Sequence, residues 1–299
     1  MAPRLLLQIY TETKWGLKLE LMLSNELTNG LNQSRSLLEA GKAKAALLKL
    51  IKLSQSCSHH LDYLYLMADV QKALGDTKNQ LKTLRLIQGN SQKVADKINF
   101  FKMCIYEGEL RELNTAMATL DRATLNFQHL GEVLDIELEL AIHYGEVEKI
   151  YACQRRFEEF KMTSARYFYS LALIDLKNNQ ESLALEHLRE SLSLDPKMDT
   201  SWTALALLHH KLGDVELALA NLQKALDSNP FNQTALKLFS SWSFDQIRMS
   251  KAESYLNFYL DRYSFDESIT LNKISLLEKT GFDAAAECEY FKLQLYFGA

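Results

Sequence analysis

Residues 199–232 read D-T-S-W-T-A-L-A-L-L-H-H-K-L-G-D-V-E-L-A-L-A-N-L-Q-K-A-L-D-S-N-P-F-N, and their reading decides the fold. Apolar residues fall at helical spacing on both sides of Gly213, and Pro230 closes the stretch. Periodicity of this kind, broken by Gly and ended by Pro, predicts two helices joined by a tight turn.

The same punctuation recurs outward along the chain. Gly41 and Gly75 lie 34 residues apart, and Gly145, Gly213 and Gly281 follow at intervals of 68. Ala184, Ala218, Ala252 and Ala286 succeed one another every 34 residues, as do Pro196 and Pro230. Between Gly75 and Gly145 the gap is 70, two periods and a two-residue insertion. This register divides residues 27–299 into eight units starting at 27, 61, 95, 131, 165, 199, 233 and 267. Residues 1–26 are read as a lead-in helix that caps the first unit, although Leu17–Leu21 also alternates with the period of a strand.

Each recurring residue has a physical reason. Gly at position 15 of a unit accepts the left-handed conformation that ends a helix, and Asn179 is the next best residue there. Small residues such as Ala206 and Ala218 let the paired helices approach, while Trp202, Leu205 and Leu222 fill the seam. No unit can bury its apolar face alone, so the core has to be made by stacking. The series Trp202, Leu205, Ala206, Gly213, Ala218, Leu222, Ala225 and Pro230 resembles the tetratricopeptide repeat. The preceding unit shares the pattern through Phe168, Leu171, Ala172, Asn179, Ala184, Leu188, Ser191 and Pro196. The third unit carries the insertion, and the seventh has Ile247 and Ser264 where Gly and Pro belong. The expected fold is all-α, a right-handed α-solenoid of about eight tetratricopeptide-like repeats.

That resemblance implies a concave groove lined by the first helix of each unit. The positions that would face a ligand hold Asp62, Tyr65, Asp69, Asp96, Asn99, Glu132, Asp135 and Glu139 in units two to four, with Tyr106 beside them. They hold Arg166, Tyr169, Lys177, His210 and Lys211 in the next two units. The groove is therefore read as acidic and then mildly basic, suited to a partner with a basic segment. The carboxylate clamp of the family's chaperone binders is not matched, since Leu31, Arg35, Leu66, Asp96 and Phe100 stand at its positions.

Catalysis finds little support. The pairs His59-His60 and His209-His210 are adjacent, not four apart as one helix face of metal ligands requires. There is no phosphate-binding glycine loop and no nucleophile–base motif. The chain is read as a non-enzyme without cofactor or metal. A net charge of −4 over 299 residues gives no reason to expect nucleic acid, and no apolar run is long enough to span a membrane. Four scattered cysteines indicate a reducing compartment, the cytoplasm, unless a native N-terminal signal precedes Met1 and directs the chain to the periplasm or elsewhere. The expected function is a protein-binding scaffold or adaptor that takes an extended peptide or partner helix in the groove. Two alternatives stand beside it: a peptide-responsive regulatory module, and a structural subunit assembled through the ends. Tyr290, Phe291, Leu293, Leu295, Tyr296 and Phe297 make the last helix apolar enough for self-association.

Overall fold

The computed structural model describes residues 14–57, 59–264 and 266–297. The lead-in reading falls largely outside the described side chains, which begin at residue 27. The regular elements of the described backbone are all helices, with no strand among them. Two compact units divide the chain, residues 1–136 and 137–299.

The first unit opens with α1 (Lys14–Glu39), a single helix that runs through residue 26 without a break. It pairs with α2 (Ala43–Cys57), and α3 (Leu61–Ala73) pairs with α4 (Thr77–Asn90). Gly30 permits the first pairing: a Cβ there would come within 2.7 Å of the Leu53 side chain. Leu31, Ala46, Leu50, Leu64, Leu66, Val70 and Ile87 form one continuous core across these four helices. Next come α5 (Val94–Glu107) and the eight-residue α6 (Leu110–Met117), followed by a 3-10 turn at Arg122–Thr124.

The insertion in the third repeat has a definite location. Gly108, at φ +77°, ends α5 33 residues after Gly75 and 37 before Gly145. Its N–H bonds to the Ile105 carbonyl and that of Glu109 to Cys104, the paired bonds of a left-handed helix end. The extra residues therefore lie beyond Gly108. The second helix of the repeat is cut short there, and Asn126 caps α7 (Phe127–His143), which begins before residue 131.

The second unit contains the end of α7, then α8 (Val147–Glu159), α9 (Ala165–Lys177), α10 (Glu181–Leu194), α11 (Asp199–Lys211) and α12 (Val215–Ser228). It closes with α13 (Gln233–Trp242), α14 (Gln246–Arg262), α15 (Glu267–Lys279) and α16 (Asp283–Phe297). At the α11–α12 turn Gly213 has φ +86°, the Asp214 N–H bonds to the His209 carbonyl, and Asp214 caps Leu217 at 3.0 Å. Asn179 takes the same left-handed conformation at φ +58°. Ala218 and Leu222 are fully buried, and a Leu buried in this way contributes about 1.5–3 kcal/mol relative to an exposed one.

Where the repeat lacks Gly, the helix boundary moves. In the seventh repeat α13 stops at Trp242, Ser243 is extended, and Asp245 caps α14 through the Arg248 N–H at 2.9 Å. Ile247 thus lies inside α14, not at a turn, and is 84% exposed.

Candidate functional site

A cleft of about 500 Å³ opens between α3 and α5, with α4 as its floor. Tyr65, Asp69 and Lys72 line it from α3, and Asp96, Asn99, Met103 and Tyr106 from α5. Leu84 and Ile87 of α4 supply an apolar base, bordered by the polar Gln80. The two lining helices are the first helices of successive repeats, so residues 34 apart in the register, such as Tyr65 and Asn99, face a common space.

One side of the cleft is fixed by a hydrogen-bond network. Asp96 is 8% exposed and accepts from both the Tyr65 hydroxyl and the Ser91 hydroxyl. Burial and the carboxylate beside it raise the Tyr65 pKa, so this phenol stays a neutral donor. Below it, Thr83 donates to Gln71 at 2.8 Å, satisfying two buried polar side chains. The other side is open. Asp69 and Asn99 are exposed and make no hydrogen bond or ion pair among the described residues, and Tyr106 is 57% exposed. An amide that both donates and accepts, an unpaired carboxylate and an open aromatic face are the groups that bind a polypeptide backbone and its side chains.

The structure brings together Tyr65, Asp69, Asp96 and Asn99 of the anticipated groove residues, and Asp96 serves Tyr65 instead of standing free. Asp62 lies outside the lining, 3.9 Å from His60. Lys72 and Met103 were not among the anticipated residues, although they occupy the repeat positions of Tyr106 and Asp69. The register places both on the groove face, at positions 12 and 9 of their units.

The remaining anticipated residues are mostly committed within the chain. Glu132 accepts from Lys102 at 2.6 Å and lies 3.5 Å from His129, and Asp135 also has an intramolecular partner. Glu139 pairs with Arg166 at 2.7 Å. Burial, ahead of the nearby carboxylates Glu139 and Asp199, pushes the Tyr169 phenol up. Lys211 pairs with Glu181 at 2.6 Å, and the His210 ring stacks on Trp242 at 3.8 Å. In this second group Lys177 is exposed and has no such partner among the described residues. The acidic and mildly basic stretches read in the sequence are therefore largely neutralised between neighbouring repeats from Glu132 onward.

A family model described as the tetratricopeptide repeat matches residues 199–232. The structure is similar to that of a tetratricopeptide repeat protein from Parabacteroides merdae, with a TM-score of 0.58 and 14% identity, covering 84% of this chain and 98% of that one. It is also similar to the APC/C hetero-tetramer Cut9–Hcn1, with a TM-score of 0.52 and 13% identity, covering 82% of this chain and 48% of that one. At such identities the likeness concerns the fold, which is an α-solenoid. Residues 199–232 are thus a tetratricopeptide repeat, and the fold is the one tetratricopeptide repeat proteins adopt. In sequence it resembles the photosystem I assembly protein Ycf3 of Cyanophora paradoxa, 33% identical over 89 residues, which cover 27% of this chain and 51% of that protein. The Synechococcus elongatus Ycf3 is 31% identical over 70 residues, 23% of this chain and 40% of that protein. The chain thus spans about half or less of the length of these curated relatives.

Proposed function

We propose that the chain is a non-catalytic scaffold that binds an extended polypeptide segment in the cleft between α3 and α5. The observation that carries this reading is the unpaired set Asp69, Asn99 and Tyr106, lining one cleft beside the Tyr65–Asp96 network. Asn99 can hold the backbone of the guest, Tyr106 and Met103 a side chain, and Asp69 a Lys or Arg. A basic residue in the partner is thus part of the proposal, at a single position and not along a whole acidic half-groove. The Ycf3 relatives are described as assembly proteins, which is in keeping with a scaffold for polypeptides. We place the protein in the cytoplasm on its free, buried Cys104; no described helix is long and apolar enough to cross a membrane.

Both Asp69 and Tyr106 are exposed, so replacing them leaves the core intact. The chain carrying Asp69→Lys with Tyr106→Ala should fold as the parent does and lose its co-purifying polypeptides. An unchanged set of partners would place the binding surface elsewhere.

A second reading, assembly through α16, rests on Tyr290, Phe291 and Leu295, which are 52%, 61% and 68% exposed. Three large exposed apolar side chains on one helix are more than scattered surface residues require.

A further inference from the structure

A helix seat repeats along the second unit, and at α15–α16 no helix among the described residues covers it. In the sixth repeat the seat is formed by α11 and α12 and is occupied by α13. Leu219, Leu222 and Leu226 are buried there in one cluster with Ala235, Leu236 and Phe239 of α13. At its edge His210 stacks on Trp242. Sixty-eight residues on, the same repeat positions form a cleft of about 470 Å³ between α15 and α16.

The floor of that cleft is still apolar, with Ile274, Tyr290 and Phe291 lining it. Phe291 is itself a departure from the repeat, since the four preceding units carry Arg155, Arg189, Gln223 and Asn257 at its position. The rim has changed in the opposite sense. Where the filled seat has His210, Val215 and Leu219, this one has Glu278, Asp283 and Glu287, and all three line the cleft. Asp283 also stands in the first turn of its own helix, where a carboxylate is favoured. None of the three carboxylates makes an ion pair among the described residues. The neighbouring cations are taken: Lys273 and Lys292 pair with Glu289 at 2.9 and 3.1 Å, and Lys279 reaches the Ser241 carbonyl at 3.4 Å.

A following helix like α13 meets leucines in the filled seat; here it would set its side chains against Glu287 and Gln294, which stand where Leu219 and Leu226 are buried. We propose that this seat receives, from a partner protein, one amphipathic helix whose apolar stripe is flanked by Lys or Arg. The guest's stripe covers Tyr290 and Phe291, and its flanking cations meet the three carboxylates, so that charge selects the helix and apolar contact holds it. This site is separate from the α3–α5 cleft and does not depend on it.

The test uses the whole 299-residue chain and two fluorescently labelled model helices of repeat-helix length. Both carry leucine at i, i+3, i+4 and i+7; one is flanked by Lys and the other by Glu. Fluorescence anisotropy should show the Lys-flanked helix binding at least about tenfold more tightly, the discrimination expected of unlike against like charge around an apolar contact. The Glu278→Lys, Asp283→Lys, Glu287→Lys variant should reverse that preference, and Phe291→Asp should remove both interactions. The Asp69→Lys, Tyr106→Ala variant should bind the Lys-flanked helix as the parent does, so the two proposed sites fail separately. Equal affinity for the two helices, or a charge-reversed variant with unaltered preference, overturns the proposal. So does self-association that Phe291→Asp abolishes, since the occupant is then a second copy of this chain.

Discussion

Asp199, at the start of α11, shows how much of the chemistry of this chain is spent on itself. Its Oδ2 accepts from the Asn232 and Asn229 side-chain amides at 2.7 and 3.0 Å, which ties one repeat to the loop that opens the next. Burial nevertheless holds the carboxyl above its usual range, against the two amide bonds that pull it down. A carboxyl raised in this way makes the folded protein the better proton binder. Its contribution to stability is therefore greatest below the ordinary Asp value of about 3.9 and declines as pH rises through the window up to the raised one. Asp199→Asn keeps an oxygen for both amides and removes the charge. The variant should melt higher than the parent at neutral pH, and the difference should shrink on acidification below about pH 4. A variant that melts lower at neutral pH would show that the charge, not the oxygen, is what the two asparagines require. At the same scale, Cys104 is fully buried and burial pushes its thiol up to about 12, which explains its silence as a candidate nucleophile.

The helices are set by their ends. Gly108, Gly213 and Asn179 all close first helices in the left-handed conformation, and Lys161 closes α8 in the same way at φ +51°. A side chain costs about 1–2 kcal/mol there unless the residue is Gly. Gly213→Ala should therefore lose about 1 kcal/mol, and Lys161→Gly should gain about as much, in paired denaturant titrations. A Lys161→Gly chain no more stable than the parent would mean that local contacts already relieve the strain. These ends also explain what could be read in advance. Gly41, Gly75, Gly145, Gly213 and Gly281 keep step with the period, so the paired helices followed directly from their spacing. Gly108 is off the period, so the spacing assigns the insertion to the third repeat without locating it within that repeat. The α13–α14 link has no glycine, and its boundary depends on a Ser243 hydroxyl bonded to the Phe239 carbonyl at 2.6 Å and on the Asp245 cap. Such capping is compatible with many other sequences, so spacing alone did not reveal it.

Across the whole molecule, sequence and structure agree on the scaffold and diverge on its charges. Repeat positions say which helix face a residue occupies, and that was enough to bring Tyr65, Asp69 and Asn99 to one cleft. They do not say whether a long side chain reaches its neighbour in the next repeat. Lys102 with Glu132, Arg166 with Glu139, and Lys211 with Glu181 are pairs between successive repeats, separated by about one repeat length in sequence. Pairs as exposed as Lys102–Glu132 and Lys211–Glu181 contribute at most about 1 kcal/mol each. Their larger effect is to remove from the surface the field that a partner would otherwise feel. What remains for recognition is a small set of uncommitted groups, and the central claim is that those around Tyr106 receive a polypeptide. Site-specific photocrosslinking tests this most directly, with a benzophenone side chain placed at residue 106 and, as a control, at the exposed Lys82 of α4. The predicted result is a crosslinked polypeptide at 106 that is absent at 82 and disappears when Asp69→Lys is added. The same adducts at both positions, or adducts indifferent to residue 69, would contradict it.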